Sequence, residues 1–171
     1  MKIFFENPTK GFQLRELSRI SKISTTGVKS VLLELLDENI IAVTKEKRYE
    51  YYEANRNNLT YKIAKKFFNV KTIYETGLVD YLESELNHPE AIFLFGSSAR
   101  GEDAEMSDID IFVLASVKKE LDLRLFRKKL KRDVNLMVMS KDEFKRAKEK
   151  SPELINNVIN GIGLSGFLEV I

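Results

Sequence analysis

Ala91-Ile92-Phe93-Leu94-Phe95 is a run of five apolar residues that ends directly on Gly96-Ser97. A continuous apolar run of this length reads as a strand buried on both faces. A chain that leaves such a strand at Gly-Ser must turn sharply, and the turn exposes backbone N–H groups that can hold phosphate oxygens. Ser97 and Ser98 add hydroxyl donors. After ten intervening residues, Asp108-Ile109-Asp110 opens a second apolar run, Ile109 to Leu114. Side chains alternate along a strand, so carboxylates two residues apart point the same way. Like charges so placed repel unless a cation lies between them. Hard oxygen ligands with room for water suit Mg²⁺ bound together with a nucleotide phosphate. A Gly-Ser turn alone, or a paired aspartate alone, is common. Strand, Gly-Ser turn, paired aspartates and second strand in this order are far more restrictive.

The chain downstream continues in the same style. Val134 to Met139 reads as a third strand. Leu121 to Leu130 is predicted helical, with Leu121, Leu125 and Phe126 spaced for one face. Ser140 followed three residues later by Glu143 is a capping-box pattern for a helix over 140–150. Pro152 starts a further helix, which the glycines from Gly161 to Gly166 are expected to end. These elements make a small mixed sheet flanked by helices.

The stretch GSSARG followed by SDIDIFV resembles the minimal nucleotidyltransferases of the DNA polymerase β-like superfamily, over about residues 89–168. The resemblance implies that Gly96 and Ser97 contact a nucleoside triphosphate and that Arg100 approaches phosphate. It also implies that Asp108 and Asp110 hold two Mg²⁺ ions. Members of the family usually carry a third carboxylate on the next strand. Here the strand reads Val134-Asn135-Leu136-Met137-Val138, with Asn135 in that place and Asp133 two residues earlier. Asp133 substitutes only if a bulge shifts the strand. An amide oxygen ligates Mg²⁺ more weakly than a carboxylate and cannot accept a proton. Nucleotide binding is therefore expected to survive better than transfer.

Residues 1–58 have a different character. Ser24 and Thr25 precede Val28, Val31, Leu32, Leu35 and Leu36, an apolar stripe at helical spacing with a candidate N-cap. An earlier helix carries Phe12, Leu14, Leu17 and Ile20. The short connector between them, Ser21 to Ser24, has Ile23 as its expected buried plug. Ile41 to Tyr52 reads as a hairpin with a basic tip. Helix, helix, hairpin resembles archaeal winged-helix DNA-binding domains. The resemblance implies a reading helix that exposes Thr25, Thr26, Lys29 and Ser30 to double-stranded DNA. Arg15, Arg19, Lys45, Lys47 and Arg48 would meet phosphates. Residues 1–60 hold 10 basic and 8 acidic side chains, so any DNA contact depends on where these few cations sit.

Between the two lies a predicted helical connector over residues 59–88, bent or broken near Asn69 and Gly77. Its expected apolar stripe is Ile63, Phe67, Val70 and Tyr74, and Asn87-His88-Pro89 ends it. The expected organisation is α+β. It comprises a winged helix over 1–58, the connector, and a nucleotidyltransferase-like domain over 89–171. There are no cysteines, which excludes disulfide scaffolds and cysteine-bound metal. No apolar run approaches a membrane span, and Glu6, Asn7 and Pro8 fall where a leader would need its apolar core. A cytoplasmic protein, working as a homodimer, is expected.

Two functions stand open. One is Mg²⁺-dependent transfer of a nucleoside monophosphate from a triphosphate to a hydroxyl, with Asp108, Asp110 and Asp133 catalytic. Minimal members resemble antitoxin halves of toxin pairs, which implies a protein acceptor such as a HEPN-type toxin. The other is a DNA-binding transcriptional regulator whose transferase-like domain binds nucleotide without turnover. A structural adaptor with both domains degenerate is disfavoured by the retained glycine, serine and paired aspartates.

Overall fold

The computed structural model describes residues 1–169. The last two residues of the expected 89–171 domain therefore lie outside the described residues. The chain forms two compact units, Met1–Lys65 and Lys66 onward.

The first unit contains α1 (Lys2–Glu6), α2 (Leu14–Ser21), α3 (Thr25–Asp37), β1 (Ile41–Glu46), β2 (Tyr49–Ala54) and the start of α4 (Leu59–Thr76). Ser24 caps α3 by accepting from the Gly27 N–H at 3.2 Å, which satisfies one of the helix's orphan donors. β1 and β2 pair antiparallel from Ile41↔Ala54 to Glu46↔Tyr49, leaving Lys47-Arg48 as a two-residue tip. Lys47 adopts φ 55°, the left-handed backbone that so tight a hairpin demands. Phe12 exchanges both backbone hydrogen bonds with Tyr52 and so adds a third segment beside the hairpin. Phe4, Phe5, Phe12, Leu17, Val28, Leu32, Ile41 and Tyr52 are buried. α1, which buries Phe4 and Phe5, is an element the sequence pattern did not suggest. Ile23 is 49% exposed rather than a plug. The connector is instead set by the Ser18 hydroxyl donating to the Ile23 carbonyl and by the Ser24 cap.

The second unit contains the rest of α4, then α5 (Leu78–Glu85), β3 (Ala91–Phe95), α6 (Gly96–Arg100), β4 (Ile109–Leu114) and α7 (Arg124–Leu130). It ends with β5 (Val134–Met139), α8 (Lys141–Lys150), α9 (Pro152–Ile159) and β6 (Ile162–Gly166). The strand order is β5-β4-β3-β6. β4 and β5 are parallel and the other pairs antiparallel, so the sheet is mixed. Both its faces are covered. Ile92, Leu94, Ile111 and Val113 pack with Ile73, Leu78, Leu82 and Phe126. Ala91, Phe95 and Phe112 pack with Phe144, Ile155 and Val158. Burial on both sides is why β3 and β4 read as unbroken apolar runs. The α+β class holds. The Ser140–Glu143 capping box is present at α8, and Pro152 opens α9.

Three expectations change. Ile63, Phe67 and Tyr74 are exposed, and α4 buries Tyr61, Lys65, Asn69 and Ile73 instead. Two polar residues occupy the inner face because each finds a partner, Lys65 on the Phe5 carbonyl and Asn69 on Ser98 and Asp103. Residues 162–166 are not a terminating turn but strand β6. Glycine is required at its end: Gly166 has φ 64°, and a Cβ there would lie 2.0 Å from the Glu90 carbonyl oxygen. Finally, α7 begins at Arg124, with Leu121 packed against the core ahead of it. The connector is two helices, α4 and α5, divided at Gly77 with φ 78°. No helix among the described residues is long and apolar enough to cross a membrane.

Candidate active site

The site lies where β3 ends and β4 and β5 begin. β3 delivers its last residue, Phe95, opposite Asp110 of antiparallel β4. The chain then enters α6 through Gly96 in the left-handed region, φ 69°. Two facts make this position a glycine. A side chain is strained at that φ, and a Cβ would sit 2.3 Å from the Asp110 Oδ2. The carboxylate of Asp110 therefore lies against the backbone of the Gly96-Ser97 turn.

On its other side Asp110 faces β5. The parallel register aligns Asp110 with Asn135, and the Asn135 Nδ2 donates to the Asp110 Oδ1 at 3.1 Å. Asn135 thus stands beside the paired aspartates, where the third carboxylate was expected. The β4–β5 ladder runs without a register shift from Ile109↔Val134 to Leu114↔Met139. Asp133 precedes it. Its carbonyl accepts from the Ile109 N–H at 2.9 Å, and its 75% exposed carboxylate pairs with Arg127 at 3.7 Å. The structure brings Gly96, Asp110 and Asn135 together and turns Asp133 toward α7.

Asp108 has an exposed side chain whose carboxylate makes no hydrogen bond or ion pair among the described residues, so its oxygens are available. Arg100, at the end of α6, pairs through Nε with Glu102 at 3.0 Å. Asp108 and Asp110 supply hard oxygen donors, and the Asn135 amide supplies one neutral oxygen if it rotates. That set fits one divalent cation bound with phosphate. Among the described residues no three His, Cys, Asp or Glu side chains gather as ligands.

Sequence reasoning missed the support of this site. Arg132 is only 14% exposed and pairs with the fully buried Asp103 carboxylate at 2.8 Å. Asn69 Nδ2 donates to the Asp103 Oδ1 at 2.7 Å and to the Ser98 carbonyl at 3.0 Å. Nothing in the local pattern marks these residues, because 29 or more positions separate the partners. No buried side-chain nitrogen or oxygen among the described residues lacks a partner. Nearby, Arg124 pairs with Asp122 and Lys129 donates to the Thr76 carbonyl. A cavity of about 420 Å³ lies at the opposite end of the strands, lined by Glu90, Leu114, Lys141 and Phe144, and none of the paired aspartates borders it.

In the first unit, Thr25, Thr26, Lys29 and Ser30 are all exposed on α3, and Lys47 and Arg48 are exposed at the hairpin tip. Arg15 and Arg19 are exposed on α2. Lys45 is partly neutralised by Glu50 at 3.4 Å.

Comparison with known families matches residues 76–164 to the model described as Polymerase beta, Nucleotidyltransferase. The match spans just over half of the chain and contains every residue of the site above except Asn69. Comparison with curated proteins and with solved structures finds no match.

Proposed function

The chain belongs to the polymerase beta nucleotidyltransferase family, and from that membership we propose that its second unit binds a nucleoside triphosphate with Mg²⁺ and only poorly transfers its nucleoside monophosphate to a hydroxyl with release of pyrophosphate. Gly96 and Ser97 contact the phosphates in this reading, with Arg100 nearby. Asp108 and Asp110 hold the cation. When bound, Mg²⁺ neutralises phosphate charge and polarises the bond to be broken. The residues do the rest. Gly96, without a Cβ, lets the Asp110 carboxylate lie against the turn that would contact the phosphates. The carbonyl of Asp108 is fixed while its carboxylate stays free.

The observation that carries the reading is the Asn135–Asp110 hydrogen bond at 3.1 Å. An amide at this place can orient Asp110 but cannot take the proton of an attacking hydroxyl. Asp133 could do so only if β5 shifted, and it would first have to leave Arg127. The acceptor, by the same family likeness, is a hydroxyl on a protein such as a HEPN-type toxin. The test is incubation with labelled triphosphates and Mg²⁺, with and without the product of the neighbouring gene. Binding that is lost in Asp108→Ala, with transfer low in the parent and raised in Asn135→Asp, supports it. Full transfer by the parent removes the assigned role of Asn135.

A second reading concerns the first unit. The exposure of Thr25, Thr26, Lys29 and Ser30 on one helix, beside an exposed Lys47-Arg48 tip, supports binding to double-stranded DNA. Two copies would read two half-sites. Gel-shift titration on the gene's own upstream DNA tests this. Weakened binding in Lys29→Ala supports it, and equal affinity for unrelated DNA at every salt concentration contradicts it.

A further inference from the structure

We propose that Arg132 is a positioning residue, whose guanidinium sets Asp108 against α6 and so fixes how the paired aspartates meet a cation and a triphosphate. The inference rests on the cation–triphosphate reading of this site.

Arg132 follows Lys131, whose φ of 54° turns the chain from α7 toward β5. All three guanidinium nitrogens donate. Nε reaches the Ser107 carbonyl at 2.6 Å, and Nη1 reaches the Asp103 Oδ2 at 2.8 Å. Nη2 reaches the Ser98 Oγ at 2.9 Å and the Asp108 carbonyl at 3.2 Å. These acceptors bracket the loop between α6 and β4, one before it, two within it and one at its last residue. Asn69 holds the remaining oxygen of Asp103, and the Ser107 hydroxyl accepts from the Ala104 N–H at 2.9 Å. The loop is therefore fixed from inside.

The manner of the fixing points to function. Asp108 is gripped by its backbone carbonyl, and its carboxylate is left exposed. A ligand group needs that combination: a rigid frame and free oxygens. A buried ion pair is weak evidence for stability, since apolar residues of similar size often serve as well. Apolar residues could not reproduce four directed bonds from one planar group. Lysine could neutralise Asp103, but a single ammonium cannot span the four acceptors.

The experiment uses the full chain as parent, Arg132→Lys and Ser98→Ala, with Mn²⁺ and inorganic triphosphate as probes. Mn²⁺ electron paramagnetic resonance, well below each unfolding midpoint, reads the affinity of folded protein. Amide exchange at Ala104 and Ile109 reads the loop without ligand. The parent is expected to bind, and Asp108→Asn to lose binding. Arg132→Lys is expected to bind about tenfold more weakly, as for other residues that orient metal ligands. Its Ala104 and Ile109 amides should exchange faster while Ile92 and Leu94 of β3 do not change. Ser98→Ala keeps the buried pair and loses one bond, so its affinity should fall about threefold; it carries the test if Arg132→Lys does not fold. A residue that only stabilises the fold would lower the midpoint and leave the affinity of the folded protein alone. Parent-like affinity in folded Arg132→Lys and Ser98→Ala, with binding lost in Asp108→Asn, overturns the inference and spares the site. No binding by the parent overturns both.

Discussion

Each unit holds an ion pair of ordinary length, and the two do different work. In the second unit Arg132 meets Asp103 at 2.8 Å with side-chain exposures of 14% and 0%. In the first, Lys45 meets Glu50 at 3.4 Å with exposures of 75% and 50%. Water screens the exposed Lys45–Glu50 pair, so it contributes little. The Arg132–Asp103 pair is largely buried and is held in one hydrogen-bonded network with Asn69, Ser98, Ser107 and Asp108. Charges buried in the second unit hold a shape. Charges on the first act, if they act, through their distribution over a surface.

The sharpest way to break this contrast is to remove one partner from each pair. Asp103→Ala leaves a guanidinium buried without its carboxylate, and chemical denaturation should show a loss of about 3 kcal/mol or more. Lys45→Ala should stay within about 0.5 kcal/mol of the parent in the same measurement. Equal effects would remove the distinction.

Gly96→Ala comes next in size. Its Cβ meets Asp110 at 2.3 Å on a backbone with φ 69°, so the carboxylate or the turn must move. The expected cost is about 1–3 kcal/mol, together with loss of Mn²⁺–triphosphate binding. Retained affinity would mean that Asp110 and the turn are not one site.

A smaller effect sharpens the picture of the exposed charges. Lys29→Ala should leave the unfolding midpoint unchanged within error. It should reduce the salt dependence of DNA binding by about 0.9 in log–log slope, one phosphate contact. An unchanged slope would place Lys29 away from the phosphates.

The smallest effect is local. Lys118 beside Glu143, together with the Ser140 cap, lowers the Glu143 carboxyl to about 2. A group whose folded value is depressed stabilises the fold above its ordinary range and loses that contribution as pH falls through the folded value. The start of α8 should therefore loosen between about pH 4.5 and pH 2. Carboxyl chemical shifts of Glu143 followed through acid give the midpoint, and one near 4.5 would show that the cap is not formed in solution.

How much of this was legible in the sequence depends on the distance over which each feature is decided. Gly96-Ser97 and Asp108-x-Asp110 announce a strand end and a paired carboxylate because both are local patterns. The Ser140–Glu143 box, the Ser24 cap and the Lys47-Arg48 tip are legible for the same reason. Ile63, Phe67 and Tyr74 were misleading. Apolar spacing gives the face of a helix but not which side the rest of the protein occupies, and here Tyr61, Lys65, Asn69 and Ile73 face inward. β6 was hidden by its glycines, which permit close approach to β3 and read alone as a turn. Arg132 and Asp103 were hidden because a buried charge looks like any other charge until its partner is known. The place of Asn135 was foreseen, but its bond to Asp110 needed the parallel register of β4 and β5.

The central claim is that Asn135 separates binding from transfer. Its most direct test is pyrophosphate release from a labelled triphosphate with Mg²⁺ by the parent and by Asn135→Asp, alongside the binding affinity of each. The expected result is comparable binding by both and release that rises only in Asn135→Asp. Rapid release by the parent, left unchanged or reduced by the substitution, would contradict it.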